Sequence, residues 1–434
     1  MKIPRLQAQD NNWYKLDNAG KIYPAILTSR TTSLFRISAS LKDPIVLNLL
    51  EEANNRVIKR FPYYQVSLKQ GFFWYYLETN PRLPRIEGDS LYPCMKMPIK
   101  KSRMFLFRVR AYKNRIAVEF SHILTDGTGA SIYLKTLCAE YLRLKGIPVK
   151  ADRSKGVFSL DEPVREEEKE DAFRKYFNPK LPPPSRGAKA FHLKWKLLPK
   201  HQYNLTSGIL PIEEVKRRSK DLKLSLGEFL ISVYLYSFQL YIQSLPVKRR
   251  RLKPIRMNVP VNLRKLYNSE TMRNFFLSVE PWIDPRLGEY TLEEIAAKVH
   301  HYMHYEVDRK FLNQQITRNV KGELNILGRL MPLSMKNALL PVLYKLMGEN
   351  NYTSGFSNLG PIELPGEMAA HIERFDFFPP PSEGNKIKCS AHSWKENLYI
   401  SFGSLVNETE IERLFFTSLR KMGIPVKIES NRFY

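Results

Sequence analysis

Residues 117–130 read A-V-E-F-S-H-I-L-T-D-G-T-G-A. Just upstream, Ile116, Val118 and Phe120 fall on one face, while Arg115, Glu119 and Ser121 fall mostly on the other. That period of two is a strand. From Thr128 to Leu144 the pattern is helical. The strand therefore gives way to a helix within H-I-L-T-D-G, and such a corner can hold a side chain out into a cleft. His122 can act as a general base near neutral pH. Asp126 can accept hydrogen bonds or pair with a cation and lock the corner. Gly127 permits a tight turn with positive φ. The plainer reading is a satisfied core histidine beside a helix-capping Asp-Gly, and spacing alone leaves both readings open.

The chain around this corner has 434 residues, of which 43% are hydrophobic, enough for a large core and against general disorder. Its formal charge of +26 suits phosphates, acidic carriers or anionic lipid without choosing among them. Cys94, Cys138 and Cys389 are far apart and form no C-x-x-C pair, so reduced thiols in a cytoplasmic setting are expected. The opening M-K-I-P-R-L-Q-A-Q-D lacks the apolar stretch of a signal peptide. The longest apolar segment, Phe229 to Ile242, is short for a membrane span and reads as a buried helix.

Working outward, Leu34 to Leu41 reads as a strand, followed by a helix to about Phe61 with Asp43 as N-cap and Pro44 at its first position. Hairpins are expected at 65–77 and 104–121. Residues 146–190 hold R-E-E-E-K-E-D at 165–171 and L-P-P-P-S-R-G at 181–187. They read as a connector, the acidic run being a solvated helix face or loop. Beyond it come a strand at 203–210, helices at 213–222 and 226–245, and strands at 255–263 and 274–279. One long helix over 291–325, a hairpin at 387–403 and a helix at 410–422 follow. Ser225 and Glu228 have capping-box spacing. The expected division is 1–150, a 151–190 connector, and 191–434: two α/β halves.

At H-I-L-T-D-G the chain resembles the HxxxDG signature of the CoA-dependent acyltransferase superfamily, which includes chloramphenicol and alcohol acetyltransferases and peptide-synthetase condensation domains. Two further stretches are similar to family segments. N-V-P-V-N-L-R at 258–264 resembles the strand whose arginine pairs with the motif aspartate, and F-S-N-L-G-P-I at 356–362 resembles the S-N-x-G segment of bacterial members. The three together span most of the chain, and the closest flavour is a free-standing bacterial alcohol acetyltransferase. The resemblance implies two similar chloramphenicol-acetyltransferase-like α/β domains, each a mixed sheet covered by helices, with a tunnel between them. It implies His122 as the base that activates an alcohol, or an amine, to attack an acyl-CoA thioester without a covalent acyl-enzyme. Asp126 would pair with Arg264 in a structural role beside Gly127. Asn262, Ser357, Asn358 and Gly360 are the substrate-binding candidates. No bound cofactor is implied, acyl-CoA being a co-substrate. Two features depart from family patterns: the plant-type D-F-G-W-G is absent, and Ser121 stands where condensation domains usually double the histidine.

Other motifs carry less. G-T-G-A-S-I at 127–132 lacks the third glycine of a dinucleotide fingerprint. V-H-H-Y-M-H-Y-E at 299–306 places His300 and His304 on one helical face but lacks the glutamate of HExxH. It reads as a partly exposed histidine cluster, and no metal site is expected. V-K-R-R-R-L-K at 247–253 reads as a solvated loop, with CoA phosphates, an acidic carrier, or nucleic acid or membrane as its functional options. No G-x-S-x-G elbow occurs, against a serine hydrolase. The aromatic clusters F-F-W-Y-Y at 72–76 and F-D-F-F-P-P-P at 375–381 read as core and strand packing, with tunnel lining as the alternative. Two other functions stay open. One is acyl transfer from a carrier-protein thioester. The other is a non-catalytic basic binding module, for which nucleic acid is disfavoured and peripheral contact with an anionic membrane is left open.

Overall fold

Both faces of the motif strand are covered: Ile116 to Ser121 are all buried, and the expected outward Glu119 is paired inside with Arg36 and Arg108. The computed structural model describes residues 13–101, 103–182, 189–246, 248 and 251–432. Strand Arg115–Ser121 pairs antiparallel with Leu34–Leu41 on one side and Phe107–Tyr112 on the other. Ile86–Gly88 adds a parallel edge. The opposite edge is filled from far along the chain: Ile372–Phe378 pairs antiparallel with Leu34–Leu41. Helices Leu47–Arg60 and Gly127–Leu144 pack together, and the second lies on the sheet. Their apolar faces bury Leu50, Val57, Leu134 and Leu137 completely.

The second sheet has eight strands, seven of them in the order Phe276–Val279, Ile255–Asn262, Ser354–Pro361, Ile387–Trp394, Asn397–Ser404, Asn204–Pro211, Lys427–Ser430, and the eighth, Trp282–Ile283, paired to the second of these. Ser354–Pro361 runs parallel to both neighbours, so this sheet is mixed as well. Helix Leu226–Gln243 is buried along most of its length and packs against Leu292–Glu306 and Glu410–Lys421. Its first turn is closed by the Ser225–Glu228 capping box. A separate three-stranded sheet is made by Trp13–Lys15, Tyr75–Thr79 and Val66–Gln70. Among the described residues, no helix is long and apolar enough to cross a membrane. Cys94, Cys138 and Cys389 are buried and free.

Several expectations need correction. The second helix starts at Leu47 with no side-chain cap, and Asp43 instead forms an ion pair with Lys145 at 2.8 Å. The helix expected over 291–325 is two, Leu292–Glu306 and Arg309–Leu324, because Asp308 caps the second through the Lys310 amide. Part of the acidic run is not solvated. Glu168 is fully buried, where it accepts from Arg60 Nη1 and Nη2 and from Tyr63 Oη, each at 2.8 Å. Removing both charges from water is tolerable because every oxygen lone pair finds a donor. The Glu168 carbonyl also accepts from the Met272 amide, which ties the connector to the loop below Arg264. The basic segment lies only partly within the described residues, Val247, Arg249 and Arg250 being outside them; Arg251 and Lys253 are exposed. Pro183–Arg186 and Gly187 of the proline-rich tract, and the first twelve residues, also lie outside them.

Candidate active site

The strand delivers His122 to its end, where the backbone N–H donates to Ser33 O at 3.0 Å. Ser33 sits at φ 56°, a strained left-handed position for a serine, directly beside this corner. The imidazole is enclosed by aromatic rings: Phe35 at 4.6 Å, Tyr23 stacked at 5.5 Å and Phe276 at 5.8 Å between centroids. Burial pushes its pKa down to about 4, and nearby Lys388 pushes the same way. The Asp126 charge and the Asn274 hydrogen bond oppose them. The ring is therefore neutral at pH 7.

Its tautomer follows from Asn274. The Asn274 amide nitrogen donates to Asp17 Oδ2 at 3.0 Å and to the His122 carbonyl at 2.8 Å. With both amide protons engaged, Asn274 turns its Oδ1 to His122 Nδ1, at 3.4 Å, and that oxygen can only accept. Nδ1 thus carries the proton and Nε2 the lone pair. Asp17 anchors Asn274 and also accepts from the Gly20 amide at 2.6 Å. Burial raises the Asp17 carboxyl, against the pull of Arg273 at 3.7 Å.

Asp126 is the N-cap of helix Gly127–Leu144 and accepts from the Thr128 and Gly129 amides at 3.1 and 3.3 Å. Arg264 meets it with two parallel bonds, Nη1 to Oδ2 at 2.9 Å and Nη2 to Oδ1 at 3.1 Å. The Phe275 amide adds a fifth at 2.9 Å. Arg264 spends its remaining donors on Thr271 O, Arg273 O and Asn262 Oδ1. The pair bolts the corner of the first sheet to the loop beyond strand Ile255–Asn262 of the second. Both helix amides that a pyrophosphate would need are taken by Asp126, so the G-T-G segment offers no dinucleotide cradle.

Gly127 is needed for a reason other than the one expected. Its φ is not positive. A Cβ there would lie 2.7 Å from Leu359 Cδ2, across the junction between the halves. Gly129 is more constrained still, since a Cβ would meet Thr125 Oγ1 at 2.1 Å and the Met272 carbonyl at 2.7 Å.

His122 lines a cavity of about 460 Å3 between the two sheets. Asn262, Ser357 and Asn358 line it too, as do Asp126 and Gly127. Asn262 Nδ2 donates to Thr128 Oγ1 at 3.1 Å. Gly360 does not line the cavity; at φ +72° it closes the bulge after Asn358, whose Oδ1 accepts its amide at 2.8 Å. Of the aromatic clusters, Phe377 and Pro379–Pro381 reach the cavity wall, whereas Phe72 and Phe73 are exposed at the surface. His300 and His304 lie away from the lining, 3.4 and 3.7 Å from Glu228 Oε1.

Three residues that act on His122 escaped the sequence reading. Asp17 and Asn274 set the histidine tautomer, yet lie 105 residues before and 152 after it, so no local spacing marks them. Lys388 faces the cavity, and burial lowers its pKa to about 8, with Glu349 opposing. The alternating strand pattern at 387–394 is the only local sign, since it separates Lys388 from the core positions on either side.

No family model matches the sequence, and a comparison with curated proteins finds no match. Solved structures do match along nearly the whole chain. Trichothecene 15-O-acetyltransferase TRI3 from Fusarium sporotrichioides superimposes with a TM-score of 0.59 at 13% identity, covering 96% of this chain and 98% of its own. TRI101 of F. sporotrichioides, complexed with coenzyme A and T-2, gives 0.59 at 12%, covering 97% and 100%. The starter condensation domain of rhizomide synthetase, in complex with C8-CoA, gives 0.60 at 12%, covering 95% and 94%. The fold is thus the two-domain, chloramphenicol-acetyltransferase-like architecture shared by condensation domains and CoA-dependent acetyltransferases, two mixed sheets covered by helices.

Proposed function

We propose that this protein is an acyl-CoA-dependent O-acyltransferase with His122 as general base. The observation that carries this reading is the neutral His122, its Nδ1 set against Asn274 Oδ1, in the wall of a cavity between the halves; Nε2 is assigned as the nitrogen that meets the acceptor. Nε2 removes the proton from an acceptor hydroxyl, and the oxygen attacks the thioester carbonyl. The tetrahedral adduct collapses, the C–S bond breaks, and the imidazolium returns its proton to the departing thiolate. No acyl-enzyme forms. The transient imidazolium is stabilised by the Asp126 field and by Asn274 Oδ1. Asp126 and Arg264 hold the corner and take no proton, because all their polar atoms are engaged with each other and with the backbone. Ser357 and Asn358 are the candidates to meet the oxyanion. The two halves are assigned to residues 1–150 and 191–434, joined through 151–190, with strand Ile372–Phe378 of the second segment completing the first sheet. A bound acyl-CoA is the expected donor, in keeping with the CoA ligands of two of the structural neighbours.

The test is thiol release from acetyl-CoA and longer acyl-CoAs with a panel of alcohols and amines, with product masses checked. Acceptor-dependent release that disappears in His122→Ala supports the proposal, and equal release in both proteins sinks it. A second reading, a carrier-protein thioester as donor, is favoured by the charge of +26. Release only from an acyl carrier would select it.

A further inference from the structure

Among the described residues, 21 large hydrophobic side chains stand exposed, and nine of them lie on three adjoining elements. Helix Leu333–Met347 exposes Met335, Leu339, Val342, Leu343 and Leu346. These are positions i, i+4, i+7, i+8 and i+11, which fall on one stripe of a helix. A helix at the surface of a globular protein normally turns such a stripe inward; here it faces out. Ile326 at 71% and Leu330 at 64% exposure extend it on the preceding short helix Ile326–Leu330. The hairpin tip carrying Phe72, 73% exposed, and Phe73 docks at the start of the long helix. The Leu333 amide donates to Phe72 O at 2.9 Å, and Lys336 Nζ to Phe73 O at 2.8 Å. Exposed apolar side chains grouped on adjoining elements mark an interaction site rather than ordinary scatter.

The segment bearing it is basic. Residues 309–347 hold seven Lys or Arg against a single carboxylate, Glu323. Six of the seven are exposed; the exception is Lys336, which is buried against the hairpin over the Trp74 ring. Apolar side chains along one helix face with exposed cations around them have the chemistry of a helix lying in the headgroup layer of an anionic bilayer. A second copy of this chain would bring the same cations, and a net charge of +26, against itself.

We infer that helix Leu333–Met347, with Ile326–Leu330 and the Phe72–Phe73 hairpin tip, docks the protein onto the surface of an anionic lipid bilayer. This goes beyond acyl transfer and holds independently of it. The same helix presents Tyr344 to the cavity wall, with Gly348 and Glu349 just beyond. Docking therefore sets the cavity beside the lipid layer.

Sedimentation with extruded vesicles tests it, using pure phosphatidylcholine and phosphatidylcholine with about 30% phosphatidylglycerol. The wild type should bind the anionic vesicles, bind neutral ones more weakly, and be partly released by high salt. Leu339→Asp/Leu346→Asp should weaken binding at least about tenfold with little change in the melting curve, because both side chains are already about half exposed, at 43% and 51%. Arg329→Gln/Lys345→Gln should weaken binding to anionic vesicles alone. A wild type that ignores both vesicles overturns the inference. So does full binding by the Leu339→Asp/Leu346→Asp protein, which would reduce the effect to diffuse charge attraction. A dimer in light scattering that the aspartate variant dissolves, with no vesicle binding, would assign the face to a second copy instead. Phe72→Ser, on a separate element, should reproduce the loss; if it does not, the hairpin is not part of the face.

Discussion

Two histidines of this protein are depressed to the same pKa and differ in where they stand. His122, half-buried, and His392, fully buried, are both packed against aromatic rings and both pushed down to about pKa 4, burial being the largest cause in each. His392 lies within strand Ile387–Trp394, stacked on Tyr399 at 5.0 Å, with its Nε2 donating to Phe375 O at 2.8 Å. That bond stitches the second sheet to the strand that crosses into the first. His122 places Nδ1 against Asn274 Oδ1 and lines the cavity between the sheets, which His392 does not. A depressed pKa therefore does not identify a base. The distinguishing feature is a place in the wall of a cavity that a substrate can enter.

The largest expected effect separates the pair by chemistry. His122→Ala should cut acyl transfer by about 10³-fold while leaving the melting temperature nearly unchanged, since general bases contribute about 10²- to 10⁴-fold. His392→Ala should do the opposite, lowering stability by about 1–3 kcal/mol through a lost buried hydrogen bond and packing, with activity per folded molecule retained. Paired thermal melts and thiol-release assays read both. Loss of activity in both at equal stability would erase the distinction.

Next in size is the bolt that holds the His122 corner. Asp126→Ala strands Arg264 and three backbone amides, and should cost about 3–5 kcal/mol. Arg264→Ala should cost a similar amount, and the double variant much less than the sum, because both single changes break one unit. Chemical denaturation measures this. Additive losses would mean the two residues act separately.

Acid sharpens the comparison in a different way. An unfolded histidine titrates near 6.5, and both of these are depressed to about 4 in the folded protein. The unfolded chain therefore binds protons first as pH falls. The stability each neutral ring contributes is complete above pH 6.5 and is lost between there and about pH 4, by roughly 3 kcal/mol apiece at most. His392→Gln should flatten the fall in melting temperature across that window. An unchanged slope would mean His392 titrates normally in the fold.

The smallest effect concerns Lys388. Its charge helps to depress His122, so Lys388→Met should raise the His122 pKa. The acid limb of the pH–rate profile should then move upward by a fraction of a pH unit. A downward move would reverse the assigned sign.

Local pattern made a good deal of this legible from the residues alone. The two-residue period before His122 and the helical period after Gly127 located the corner. The Ser225–Glu228 spacing located a helix start that is closed as written. These signals are short-range, and short-range hydrogen bonds realise them. Where a competing local group intervened, the reading failed. Asp308 restarts a helix that periodicity alone ran through, and Asp43 pairs with Lys145 instead of capping.

What only the tertiary structure decided is everything that depends on approach between distant segments. Gly127 looked like a turn glycine and is a close-contact glycine, because Leu359 comes from the other half. The acidic run looked solvated, yet Glu168 is buried by the arginine of a helix that ends over 100 residues earlier. Asp17 and Asn274 fix the imidazole only once the first and second halves have closed on each other. The outward stripe of helix Leu333–Met347 has the periodicity of any amphipathic helix. Sequence determines that such a stripe exists; only the packing of its neighbours decides whether it faces the core or the solvent.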